Sequence, residues 1–223
     1  MLGLFTKIKK PYYGKLFLLF ASNDMTFDPV LFTEYLVDLQ QRRIEIWQDE
    51  PFDTAKERDI GQLIEENHAY NYLLWRAEDK ARRDDLGFEH VYHAKRQIDA
   101  YNQARNNRME AMDAWLWQRL SPSLLPDCPV HSETPGMIID RLSILALKVY
   151  HMRLQTIRQD VEAPHITRCL AKLRQLTAQQ QQLQHNLAQL LTEVMAQTRT
   201  FKVYHQCKMY NDKTLNPELY ASS

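Results

Sequence analysis

The stretch NHAYNYLLWRAEDKAR, from Asn67 to Arg82, places His68, Asn71, Trp75, Glu78, Asp79 and Arg82 at spacings close to three and four. At about 100° per residue these positions share one face of a helix, next to the apolar face made by Leu63, Tyr70, Leu74, Ala77 and Ala81. Histidine titrates near neutrality and a carboxylate can orient it, which is the pairing that general acid–base chemistry uses. His68 with Glu78 or Asp79 is therefore the candidate catalytic group. A second stretch repeats the pattern, with Lys95, Asp99, Asn102, Asn106 and Asp113 recurring beside an apolar face of Ala94, Ile98, Tyr101, Met112 and Leu116. Arg96, Gln103, Arg105 and Glu110 flank that stripe. Two adjacent antiparallel helices so patterned can build a hydrogen-bonded network between them. Buried ions cost several kcal/mol unless paired. Here Arg82, Lys95, Arg96 and Arg105 have Glu78, Asp79, Asp99 and Asp113 to meet, and the amides of Asn71, Asn102 and Asn106 to bridge. The pattern fits a ligand site, but for any one of these residues a solvated charged face or a self-satisfied network that only fixes helix register is the simpler reading.

Other constellations are weaker. Glu65-x-x-His68 and Glu162-x-x-His165 have the spacing of carboxylate-bridged di-iron bundles, but Pro164 interrupts the turn that the second copy needs. No metal or cofactor is assigned. His131, Ser132 and Glu133 adjoin in sequence, which is not the geometry of a catalytic triad. Cys128, Cys169 and Cys207 are odd in number and far apart, with no C-x-x-C pair, as expected of a reducing cytoplasm.

The elements that would position these residues are helices. Asp28-Pro29 reads as a cap and first helical residue, opening a helix to about Gln48. Thr54 and Glu57 have the capping-box spacing, opening a second helix to about Asp85. A turn at Leu86-Gly87 leads to a third helix from about Glu89 to Arg119. SPSLLPDCPVHSETPG follows, with four prolines in sixteen residues, and must be a long connection. Thr134-Pro135 opens a fourth helix. After Pro164 comes the longest, with a heptad seam of Ile166, Cys169, Leu173, Leu176, Gln180, Leu183, Leu187, Leu190 and Val194. The last segment, from Phe201, alternates apolar and polar residues, so strand, extended tail and frayed helix compete. The expected fold is all-α: an antiparallel bundle of about five helices with a long C-terminal helix, residues 28–223 forming one domain behind an irregular N-terminal arm, 1–27.

Composition narrows the function classes. The 223 residues carry 28 basic and 28 acidic side chains, for a formal net charge of zero. No global field draws the chain to nucleic acid or to anionic membrane. The apolar run Leu16 to Ala21 is six residues long, too short for a membrane span or a usual signal core. Only five glycines disfavour glycine-rich phosphate loops.

Four motifs in order, H-x-x-N-x-x-L-W-x-x-E-D-x-A-R from His68, K-R-x-I-D-x-x-N-Q-x-R-N from Lys95, SETPGMIIDRLSILALKVYHM from Ser132, and FKVYHQCKMYND with LNPELY, resemble domain-of-unknown-function family 4254. The resemblance covers about Leu63 to Tyr220. It implies a bacterial, all-helical protein, from a family whose members sometimes accompany cell-envelope glycan genes and to which no reaction is attached. By match to its motifs it adds Asp140, Arg141, His151, Lys208, Tyr210 and Asn211 to the site residues, together with Ser132 and Glu133. Arg76 stands where the family pattern has a histidine after the tryptophan. One expectation is a polar pocket between the second, third and fourth helices, closed by the C-terminal segment. There Arg82, Lys95, Arg96, Arg141 and Lys208 would hold a small anion such as a phosphorylated or nucleotide-linked sugar. Trp75 or Tyr210 would stack on it, and Arg96→Ala would abolish its stabilising effect. The alternative is a non-enzymatic adaptor of a multi-protein envelope or secretion assembly. It would bind its partner through the Ile166–Val194 seam, the proline-rich loop with Leu124, Leu125 and Val130, or the N-terminal arm.

Overall fold

The protein is described by a computed structural model covering residues 27–47, 59–205 and 214–215. Its regular elements are five helices: α1 (Pro29–Ile46), α2 (Ile60–Ala81), α3 (Phe88–Leu120), α4 (Pro135–Thr156) and α5 (Ala163–Met195). No strand occurs among the described residues, where Val130 and Thr200 form an isolated bridge. The all-α bundle expected from the sequence is the observed architecture.

Local chemistry sets the helix ends. The Asp28 carboxylate accepts from the backbone N–H groups of Val30 and Leu31 at 2.8 and 3.1 Å, with Pro29 in the first turn. The Thr54–Glu57 capping box lies outside the described residues. Within them α2 opens at Ile60, capped by Asp59, which accepts from Gln62 N–H at 2.8 Å. That helix ends at Ala81, earlier than the expected Asp85, and a single 3₁₀ turn (Asp84–Leu86) follows. Gly87 then takes φ +88°, where a side chain would be strained, and lets the chain reverse into α3. The 1–27 arm lies outside the described residues except for Phe27, which is buried 5.2 Å from the Phe32 ring.

Helices α2 and α3 pack along each other as one hairpin, α4 and α5 as another, and α1 lies against α4 and α5. The main core gathers Phe32, Leu36, Ile64, Met112, Leu116, Ile139, Leu142, Leu187 and Leu191, joined by Phe201 edge-on to Trp117. Residues 201–205 form no regular element, and Phe201 ties them to this core. The heptad seam is covered unevenly: Leu187, Leu190 and Val194 are buried, as are Cys169 and Gln180, whereas Ile166, Leu173, Leu176 and Leu183 are only half-buried. Leu124, Leu125 and Val130 are exposed, as expected for the proline-rich loop.

The start of α4 explains SETPG. Thr134 caps the helix by accepting from Met137 N–H at 3.2 Å, and Gly136 N–H donates to the buried Asp113 Oδ1 at 2.6 Å. A Cβ at Gly136 would stand 2.6 Å from the Met109 carbonyl oxygen and 2.8 Å from Asp113 Oδ1. The obstruction is backbone as well as side chain, so it cannot be relieved by a rotamer change. Gly136→Ala is expected to cost about 1–3 kcal/mol in chemical denaturation, the usual range for overpacking. An unchanged unfolding midpoint would show that α3 and α4 can separate freely. Burial pushes the Asp113 carboxyl up to about 6, against the bonds from Thr134 and Gly136 that favour its ionised form.

Candidate functional site

The polar face of α2 points at α4, and its deep end is sealed. His68 is fully buried between two partners: Nδ1 is 2.7 Å from Ser143 Oγ and Nε2 is 2.8 Å from the Gln40 carbonyl. A carbonyl only accepts, so Nε2 carries the proton and Nδ1 accepts from the serine hydroxyl. Ser143 in turn accepts from Asn71 Nδ2 at 2.9 Å. Asn71 and Asn67 both donate to Asp140 Oδ1, at 2.9 and 3.0 Å, and Arg105 Nε lies 3.7 Å from the same oxygen. Gln40 Nε2 donates to the Ile139 carbonyl at 3.3 Å. Burial drives the His68 pKa down to about 3, only partly offset by its bond to Gln40, so the ring is neutral.

Above this network opens a cleft of about 430 Å³ between α2, α3 and α4. Asn71 and Arg105 belong both to the network and to the cleft lining. Glu78, Asp79 and Arg82 stand on one wall and Asn102 on another, with Leu74, Trp75, Ile144 and Leu147 as apolar surface. Arg82 lies 3.5 Å from Glu78 and 3.7 Å from Asp79, with all three side chains largely exposed. Arg105 differs, being about one-quarter exposed and backed by Asp140. The Trp75 ring stacks on His151 at 4.4 Å and 3°.

The expected site residues therefore divide. Asn71, Trp75, Glu78, Asp79, Arg82, Asn102 and Arg105 share the cleft, Asp140 lies behind it, and His151 lies beside it. The grouping of His68 with Glu78 or Asp79 does not form. Ten or eleven residues at 1.5 Å each separate them by about 15 Å along the helix, and Ser143 and Gln40 already hold both ring nitrogens. Lys95, Arg96 and Asp99 sit farther along α3, outside the cleft lining, with Asp99 3.4 Å from each cation. Arg96 also covers the Tyr92 ring at 5.5 Å. Arg141 makes a paired contact with Glu133 at 2.6 and 2.7 Å. Lys208, Tyr210 and Asn211 lie outside the described residues. Glu65 is taken by Arg43 at 2.7 Å, which leaves the Glu65-x-x-His68 pair with separate structural partners.

The profile of a family described as "Protein of unknown function (DUF4254)" matches residues 61–203, more than half of the chain. The chain belongs to the DUF4254 family. Comparisons with curated proteins and with solved structures gave no match. The matched DUF4254 region contains the cleft and nearly all of the network, while Gln40 enters from α1 outside it.

Sequence reasoning missed Ser143, Gln40 and the buried Glu66–Arg108 ion pair as members of this interior. Ser143 had a signal, since it falls three residues after Asp140 in an otherwise apolar run and so must share its helix face. Gln40 had none, because its contribution to His68 is a main-chain carbonyl. No described helix is long and apolar enough to cross a membrane.

Proposed function

We propose that the cleft binds a small ligand that is both anionic and rich in hydroxyl groups, of the phosphorylated or nucleotide-linked sugar class. The observation that carries this reading is the convergence of Arg82 and Arg105, Glu78 and Asp79, and Asn71 and Asn102 from two helices around one opening. Convergent polar groups on an apolar surface are the usual composition of small-molecule sites. The lining holds as many carboxylates as guanidiniums, so a bare anion would meet repulsion as well as attraction. A sugar phosphate suits both, its hydroxyls donating to Glu78 and Asp79 while its phosphate accepts from the arginines. Arg105 is the better anchor because Asp140 restrains it from behind, which lowers the ordering cost of binding. The acid–base groups of this cleft would be Glu78 and Asp79, with His68 in a supporting role.

The test is thermal stabilisation by a panel of sugar 1-phosphates and nucleoside-diphosphate sugars. At least one should raise the unfolding midpoint of the native chain. Arg105→Gln should weaken that ligand about tenfold or more, as removal of a charge-assisted bond of 1.5–3 kcal/mol requires. Arg96→Gln, outside the cleft, should leave its affinity unchanged. A panel that produces no shift would remove the reading.

A further inference from the structure

A second groove, of about 620 Å³, runs between α2, α4 and α5 and shares Trp75 and Asp79 with the cleft. Its chemistry differs. Lys148 from α4 and Lys172 from α5 both line it, both are exposed, and neither forms an ion pair among the described residues. Asp79, on the shared rim, is the one carboxylate of its lining. Gln155, Gln175 and Gln179 add carboxamide donors. The Nε2 atom of His151 is buried at the groove without a hydrogen-bond partner. Cations excess to their neighbours and amide donors are what a phosphate oxygen cluster requires. The cleft across Trp75 is balanced in charge and suited to hydroxyls.

We propose that this groove is the diphosphate subsite of the same ligand, with Lys148 and Lys172 holding a diphosphate while the hydroxyl-rich part occupies the cleft across Trp75, where Arg82 and Arg105 donate to its hydroxyl oxygens in place of the phosphate of a monophosphate ligand. The proposal rests on the cleft reading and narrows it from sugar phosphates in general to diphosphate-linked sugars. Trp75, held flat against His151 at 4.4 Å, forms the partition over which the ligand passes. The half-buried Leu176 closes the groove on the α5 side.

Inorganic pyrophosphate, titrated calorimetrically into the full chain, tests the subsite by itself. The expected result is one bound pyrophosphate per chain, with affinity falling at least tenfold in Lys148→Gln/Lys172→Gln and recovering to within about threefold in Lys148→Arg/Lys172→Arg. Lys80→Gln, an exposed α2 lysine lining neither cavity, should bind as the native chain does. Both substituted lysines are exposed, so an unchanged unfolding midpoint can confirm that the variants fold. No binding to the native chain, or equal affinity in the glutamine double variant, overturns the subsite. If Arg105→Gln abolishes pyrophosphate binding while the lysine variants retain it, the anion sits in the cleft. In that case this inference fails and the cleft reading stands. Failure of the cleft reading has a different signature, a sugar phosphate whose affinity ignores Arg105.

Discussion

Replacing Asp140 by alanine is expected to cost about 3 kcal/mol of folding stability, the lower end of the range for removing one partner of a buried ion pair. The carboxylate accepts from Asn67 and Asn71 through one oxygen and faces Arg105 at 3.7 Å. Its loss removes the acceptor of the Asn67 amide and one of the two acceptors of the Asn71 amide, which keeps Ser143, and leaves Arg105 without its counter-charge. The lower end applies because Arg105 retains access to the water of the cleft, where its charge can be solvated. For a domain of this length each kcal/mol moves the midpoint by about 2–4 °C, so a fall on the order of 10 °C should appear in a thermal melt. Asp140→Asn should lie between the two, since its amide oxygen can still accept from the asparagines but carries no charge for Arg105. Equal midpoints for native and alanine proteins would mean that the network contributes nothing to the fold.

The second large effect concerns His68 and pH. Its ring is held neutral with a pKa of about 3, against an ordinary value of 6.5. Below pH 6.5 the unfolded chain therefore binds a proton that the folded chain refuses. Stability from this residue is complete above 6.5 and is lost as pH falls toward 3. By pH 5 the loss should reach about 2 kcal/mol, at 1.36 kcal/mol per unit. Asp113 acts in the opposite sense. Its carboxyl is raised from 3.8 to about 6, so the folded state is favoured as pH falls through 6 toward 3.8. The native curve between pH 7 and 5 therefore mixes two opposed contributions. Comparison with His68→Gln separates them. The variant should be the less stable at pH 7, and the gap should narrow by about 2 kcal/mol at pH 5 in urea denaturation. A gap that stays constant would show that His68 titrates in the folded state as it does in the unfolded one.

How much of this could be read from the residues depends on what each interaction uses. The caps at Asp28 and Thr134 and the turn at Gly87 are local, with donors and acceptors within a few positions, and their sequence spacing was enough. The α2 stripe was legible as a face because a helix has a fixed period. Which neighbour it would meet was not. The Lys95–Asp113 stripe was the expected counterpart, yet the sealed end of the α2 stripe binds α4 through Asp140 and Ser143. Only Asn102 of the α3 stripe and the flanking Arg105 reach the cleft, while Lys95 and the flanking Arg96 both pair with Asp99. Helical period gives direction around an axis, but not the height at which two helices touch. That height separates His68 from Glu78 and sets one in the interior and the other at the mouth. The seam of α5 carried the same ambiguity, since seven-residue spacing marks a face and not its cover. The first three ordered motifs fall within residues 61–203, where the family profile matches, whereas the fourth, from Phe201 to Tyr220, lies almost wholly beyond it.

In the proposed function the cleft holds a ligand above a structural network, with Arg105 joining the two. Nuclear magnetic resonance tests that directly, by following the Trp75 indole N–H, the Asn71 and Asn102 side-chain amides and the Arg105 Nε–H during titration with the sugar phosphate that most stabilises the fold. The account predicts that these signals move together and saturate with one affinity, while the Arg96 side chain, outside the cleft, stays in place. Movement confined to Lys95 and Arg96, or saturating shifts that bypass Arg105 and Asn102, would contradict it.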